Sequence, residues 1–198
     1  MVPVADFLGI ALPEGLFPEN VFSIHRILAR EDIEGLIPER GRALFANKAV
    51  ILQSSGRSGI EFTAVMRVDV DATFCDGHMP GFPILPLGVG GWMLSQAGEI
   101  LVAYAHNYRG LHSQQHNVPL VVETGPVQSK NRDFIIPGDS LLLVANEKRH
   151  RLTFYEVDTE AWLLDQQVVA VPDMKYAVVT MEQFMGRYPK HARIEQMV

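Results

Sequence analysis

Residues 71–105 read DATFCDGHMPGFPILPLGVGGWMLSQAGEILVAYA, and this stretch decides the fold. From Gly77 to Pro83, four of seven residues are glycine or proline. That density forbids both regular helix and central strand, so 71–88 is expected to be a shaped loop. The pattern then changes. Val89, Trp92, Met93, Gln96, Ala97, Ile100 and Tyr104 recur at helical spacing, and Leu94, Leu101 and Val102 fill the other face. A helix apolar nearly all round is a buried helix, expected here over 89–105. Gly88, Gly90 and Gly91 at its front permit close backbone approach. Free N–H groups at such a helix start can bind an oxygen.

Upstream of the loop, 60–70 alternates at period two. Ile60, Phe62, Ala64, Met66, Val68 and Val70 share one face, which predicts a half-buried strand. The β-branched stretch 47–53 is its expected hairpin partner, across the turn residues 54–59. Residues 29–37 suit a short helix stopped by Pro38. Residues 1–22 carry Pro3, Pro13 and Pro18 and read as an irregular extension packed on the body through Phe7, Leu8, Phe17 and Phe22. Downstream of a polar loop at 106–117, strand-like segments are expected at 118–129, 134–136, 140–146, 152–158 and 166–180. The order predicts an α+β domain whose antiparallel sheet wraps a single helix.

The chain has 198 residues, 47% of them apolar and 20% charged, which excludes collagen-like and disordered classes. Its net charge of −6 argues against nucleic acid as a partner. The longest basic run, Lys148-Arg149-His150-Arg151, reads as the solvated end of a strand pair or as a patch for an acidic partner. The lone Cys75 excludes an intramolecular disulfide and fits a reducing, cytoplasmic setting. No apolar run is long enough to span a membrane, and the start lacks the basic region of a signal peptide.

Seven histidines are present. His106, His112 and His116 share one loop but lack intervening acidic or cysteine ligands, so no metal is expected there. His78 differs, because a rigid Pro/Gly loop carries it to the mouth of the buried helix. Shielding by Met79, Phe82, Ile84 and Leu85 would keep its imidazole neutral and fit to act as a base. The same residues also suit a loop histidine bonded to a carbonyl.

Residues 77–97 resemble the active-site stretch of the 3-hydroxyacyl-acyl-carrier-protein dehydratases, enzymes with the hotdog fold. Their pattern is G-H-F-P-G-x-P-x-x-P-G followed by a helix reading E/D-A-M-x-Q. Glu31-Asp32-Ile33 through Leu36-Ile37-Pro38 resembles the family's opening helix. Lys130 to Asp139 resembles its strand ending in Pro-Gly-Asp, and Leu164 to Val169 its last hairpin. The resemblance implies a hotdog domain over 30–182, an extension over 1–29 and a tail over 183–198. It implies His78 as the base that takes the α-proton, Ile84 as the carbonyl orienting its ring, and Leu87 as the N–H gripping the thioester oxygen. Gly81, Trp92 and Gln96 complete the implied substrate site. No cofactor is implied. An acyl carrier protein thioester is the implied partner, and a homodimer the implied assembly.

One departure matters most. Counted without gaps, the family's helix acid falls on Trp92, whose indole donates a hydrogen bond but no proton at neutral pH. A positioned general acid is worth about 10²–10⁴ in rate. Glu99 lies seven residues on, on the same helical face, about 10 Å further along the axis. Asp76 is expected to point away, and Cys75 to be a small hydrophobe. Leu87 replaces a glycine, which keeps the N–H and narrows the approach. The readings are therefore a dehydratase of fatty-acid or polyketide metabolism, or a double-bond isomerase, which tolerates loss of the second acid. A non-catalytic acyl-binding protein, a partner subunit in a heterodimer and a thioesterase are the alternatives. An acidic carrier would dock on a local basic patch, Lys148 to Arg151 or Lys130 with Arg132.

Overall fold

The computed structural model describes residues 4–18, 20–56, 59–79, 81–110, 120–124 and 130–187. After a short helix α1 (Val4–Leu8) come strand β1 (Ser23–Ala29) and helix α2 (Arg30–Glu34). The hairpin β2 (Lys48–Gly56) and β3 (Gly59–Asp69) follows, and then the long helix α3 (Leu87–Tyr108). The chain continues through β4 (Leu120–Glu123), β5 (Lys130–Asn131), β6 (Ser140–Arg151), β7 (Phe154–Leu163) and β8 (Gln166–Val179), and ends in α4 (Met181–Arg187). All pairings among the described residues are antiparallel. The sheet runs β1-β2-β3-β6-β7-β8-β4, with β5 joined to β8. This is the expected sheet wrapped on one helix, and α3 packs against β3, β6, β7 and β8.

The expected hairpin is present, with Val50 opposite Val65 and Ala49 opposite Met66. Phe62, Ala64, Met66, Val68 and Val70 face α3, while Ile60 at the strand's end stays exposed. The strand is not half-buried, however. Thr63 and Val65 on its other face are also buried. The reason is a second apolar layer, in which Val50, Leu52, Val65, Leu142 and Val144 are covered by Leu8, Phe7, Phe17 and Phe22. The extension thus packs on the body through the four residues expected, but its start is helical rather than irregular.

Other differences are local. Residues 23–29, expected within the extension, form β1 and pair with β2. Segment 134–136 is not a strand; it is anchored instead by Leu85 N–H donating to the Ile135 carbonyl at 2.8 Å. The Pro-Gly-Asp turn forms as expected, with Gly138 at φ 94° and Asp139 accepting from Ile136 N–H at 2.9 Å. At the far end of α3, Arg109 reaches the buried Glu147 at 2.9 Å. Glu147 also accepts from Phe62 N–H at 3.1 Å, so a paired charge tethers the helix end to β3 and β6. No helix among the described residues is long and apolar enough to cross a membrane.

Candidate active site

The loop before α3 is built from tight turns. His78 N–H donates to Cys75 O at 3.3 Å and Phe82 N–H to Met79 O at 3.1 Å. Gly77 and Gly81 sit at φ 73° and 79°, a region where a side chain is strained. No heavy atom would crowd a Cβ on Gly81, so its glycine answers to backbone conformation alone. Ile84 and Leu85 then plunge into the core. This closes the loop on itself, and His78 Nδ1 lies 3.2 Å from the Ile84 carbonyl oxygen. With its hydrogen on Nδ1 the ring donates to that carbonyl, and the Nε2 lone pair is left outward.

The expected apolar shield around His78 is only half present. Ile84 and Leu85 are buried, but Met79, Phe82 and His78 itself are exposed in the single chain. They stand where the glycine turns lift the loop off the body. Leu87 (53% exposed), Trp92, Phe134 and Ile136 are exposed as well, and Phe82 meets Phe134 edge to face.

Pro86 caps α3, and its carbonyl takes the Val89 and Gly90 N–H groups at 3.0 and 3.1 Å. The N–H groups of Leu87 and Gly88 precede the first intrahelical bonds and point out of the helix start. Five residues into α3, Trp92 is 47% exposed and packs edge-on against Phe45 with ring centroids 4.9 Å apart. Gln96, expected to meet substrate, is 1% exposed and both its amide oxygen and nitrogen are hydrogen-bonded within the chain. It accepts from Phe45 N–H and donates to Ala43 O, both at 2.8 Å. It therefore ties the 43–45 loop to α3 under Trp92.

Glu99 is not the solvated helix carboxylate that a surface position would give. Its carboxyl is pushed up to about 8, first by burial and then by Glu39, to which it is hydrogen-bonded; Glu123 adds to the effect. Two carboxyl groups joined by a hydrogen bond must hold a proton between them. The Ser95 hydroxyl has one hydrogen and two carboxylates in reach, Glu123 at 2.8 Å and Glu99 at 3.4 Å, so it serves Glu123 first. The Tyr176 hydroxyl beneath them donates to Ser95 O at 3.1 Å and is held well above its usual range by burial and by Glu99 and Glu123. A buried carboxyl raised to about 8, that of Glu99, thus lies on the helical face of Trp92. Sequence spacing marked Glu99 alone. Glu39 and Glu123 come from distant segments with no shared motif.

Cys75 is buried and its thiol is raised by desolvation, then by Asp76 and Asp71, so it is the inert hydrophobe expected. His106 is buried against the Tyr155 hydroxyl at 3.2 Å, while His112 and His116 lie outside the described residues. Among the described residues no group of His, Cys, Asp and Glu is placed to hold a metal ion. Of the basic run, Lys148 is spent on Asp173 at 2.6 Å and Asp158 at 3.5 Å.

No protein-family model matches the chain. Among curated proteins it is similar to the 3-hydroxyacyl-(acyl-carrier-protein) dehydratase FabZ of Oleidesulfovibrio alaskensis, 31% identical over 158 residues. That match covers 79% of this chain and 94% of the relative. The proteins of the same description from Lawsonia intracellularis and Ruminiclostridium cellulolyticum are 25% and 28% identical. They align over 78% and 77% of this chain and 94% and 98% of their own. Two solved structures share the fold. The dehydratase heterocomplex ApeI:P from Xenorhabdus doucetiae aligns at TM-score 0.59 and 12% identity, over 79% of this chain and 96% of that one. A hot-dog-like protein from Thermanaerovibrio acidaminovorans aligns at TM-score 0.51 and 13% identity, over 65% and 89%.

Proposed function

The chain belongs to the 3-hydroxyacyl-(acyl-carrier-protein) dehydratase family, and from that premise we propose that it acts on acyl thioesters of a carrier protein, with His78 as the base. The observation that carries this reading is the His78–Ile84 contact at the mouth of α3. It gives the imidazole an outward Nε2 beside a helix start whose Leu87 N–H is free to hold a thioester oxygen. In the reaction so read, Nε2 takes the proton from the α-carbon, and the double bond forms to the β-carbon. The 3-hydroxyl leaves as water with a second proton. Gly81 shapes the loop, and Leu87 and Trp92 border the substrate.

The second proton is the open point, because Trp92 stands where the family's acid stands. Glu99, its carboxyl raised to about 8 beside Glu39, lies on the same helical face, which supports it as the stand-in. Isomerisation of an enoyl thioester needs the His78 step alone and suits the site without that stand-in. The body over 30–182 is taken as the hotdog domain and 1–29 and 183–198 as additions to it. The exposed Met79, Phe82, Leu87, Trp92, Phe134 and Ile136 support pairing of this face with a second subunit. Trp92 specifically favours a second reading, in which this chain is the non-catalytic half of a heterodimer and lends its fold to an active homologue.

The test is turnover of 3-hydroxyacyl and enoyl carrier-protein thioesters by wild type, His78→Ala and Trp92→Glu. The enzyme reading expects His78→Ala to lose all activity above background. It also expects Trp92→Glu to raise dehydration by about 10²-fold or more, the worth of a positioned acid. Equal turnover by wild type and His78→Ala ends the enzyme reading. Activity confined to Trp92→Glu identifies a degraded dehydratase site.

A further inference from the structure

A cavity of about 630 Å³ opens between the N-terminal extension, the loop before β2 and the end of β3. Its volume lies within the range usual for small-ligand sites, roughly 300–1,000 Å³. Four cationic side chains line it, Arg30, Arg42, Lys48 and Arg67, against two carboxylates, Asp69 and Asp71. On a chain of net charge −6 this is a local reversal of sign.

The four cations fall into two kinds. Arg30 is fixed by Glu34 at 2.9 Å, Gly41 O at 3.0 Å and Asn47 at 2.5 Å. Arg67 is fixed by Asp69 at 2.8 Å and by Gly9 O of the extension at 2.5 Å. Gly9 has φ 63°, and a Cβ there would press on that guanidinium at 3.2 Å, so the extension and Arg67 meet at a position suited to glycine. Arg42 and Lys48 are different. Among the described residues neither has a carboxylate within 4 Å. Lys48 Nζ instead lies 5.2 Å from the centroid of the Phe7 ring of α1, an interaction that leaves its N–H donors open. Asp71 turns its carboxylate to Thr73 N–H at 2.8 Å. The cavity therefore presents two cations without a close ion pair, Arg42 facing Asp71 only at longer range, against a framework of immobile guanidinium groups, with Leu8 and Phe74 as apolar wall.

We propose that this cavity binds the phosphate group of a phosphorylated ligand, with Arg42 and Lys48 as its direct contacts and the N-terminal extension as its wall. A doubly charged group with several acceptor oxygens matches two cations and their donors, where a single carboxylate satisfies one. Coenzyme A carries such a group, a 3′-phosphate monoester beside its diphosphate bridge, whereas a carrier-bound pantetheine arm carries only a singly charged phosphodiester. The inference goes beyond the reaction at His78 and holds whether or not that residue turns substrate over.

The experiment is isothermal titration of the full chain at low ionic strength with pyrophosphate, coenzyme A, and apo- and holo-acyl carrier protein. Saturable binding is expected for pyrophosphate and for coenzyme A, with the singly charged phosphodiester of the holo-carrier adding little over the apo-carrier. Arg42→Ala and Lys48→Ala, both at exposed side chains, are each expected to weaken it at least tenfold, with Arg42→Lys and Lys48→Arg recovering most of the affinity. If the alanine variants fail to fold, Arg42→Gln and Lys48→Gln give the same reading. His78→Ala is expected to bind as wild type does, which separates this site from the catalytic one. Two results overturn the proposal: no saturable binding of pyrophosphate or coenzyme A by wild type, or affinities unchanged in both cation variants.

Discussion

Glu99 carries the sharpest consequence of any single side chain in α3. Its ordinary value is 4.5 and in the folded chain it is raised to about 8. The native state therefore binds more protons than the unfolded state between those two values. Stability must fall as pH rises through that window and level off above it. Glu99→Gln removes the penalty of ionising a buried carboxyl, so its melting temperature is expected to drop less than that of wild type between pH 5 and pH 9. Parallel pH profiles for the two proteins would overturn this reading of Glu99. The same substitution reads catalysis separately. If Glu99 supplies the second proton, Glu99→Gln lowers dehydration and leaves any isomerisation at His78 intact.

Between elements, α3 approaches β8 closely at Gly98. Gly98 faces the ring of Tyr176 so closely that a Cβ there would collide with the tyrosine hydroxyl and ring carbons. Tyr176 is fully buried and its hydroxyl is tied to Ser95 O, so it has nowhere to retreat. Gly98→Ala is expected to cost about 1–3 kcal/mol, the usual range for overpacking, despite alanine's better helix propensity. A denaturant midpoint equal to or above that of wild type would sink this account. Elements of this kind were unequally legible in the sequence. The buried helix and the β2–β3 hairpin announced themselves by period. The strand β1 did not, because only Leu28 of its seven residues is buried, and a strand with so little apolar face leaves no alternation to read. The His78 loop was legible through its glycines and prolines. The occupation of Gln96 by Ala43 and Phe45 was not, since the contact spans about fifty residues and involves only backbone atoms on the other side.

The whole molecule is a sheet with apolar layers on both sides, one formed by α3 and one by the extension. Unbroken runs such as Leu141–Ala145 hinted at double-sided burial, although nothing in the sequence said what lay outside. Leu8 of α1 is buried, 5% exposed, against Val50, Leu52, Val65, Leu142 and Val144. Leu8→Ala is expected to cost about 2–5 kcal/mol, as at a true core position, and thermal melts will report it. A loss under about 0.5 kcal/mol, the range of ordinary surface changes, would mean that the extension rests loosely on the sheet.

The second layer also governs how deuterium enters the molecule. Strand β3 lies between β2 and β6, and its middle residues, Ala64 and Val65, face opposite layers, both at 0% exposure. Lifting the extension alone leaves their amides in the ladder, and parting the sheet from α3 means dissolving the main core. Solvent reaches these amides only when the whole chain opens, so their exchange with heavy water is a clock for global unfolding. The outer layer is then the part that comes away first, and with it the wall that Phe7, Leu8 and Gly9 give to the cationic cavity.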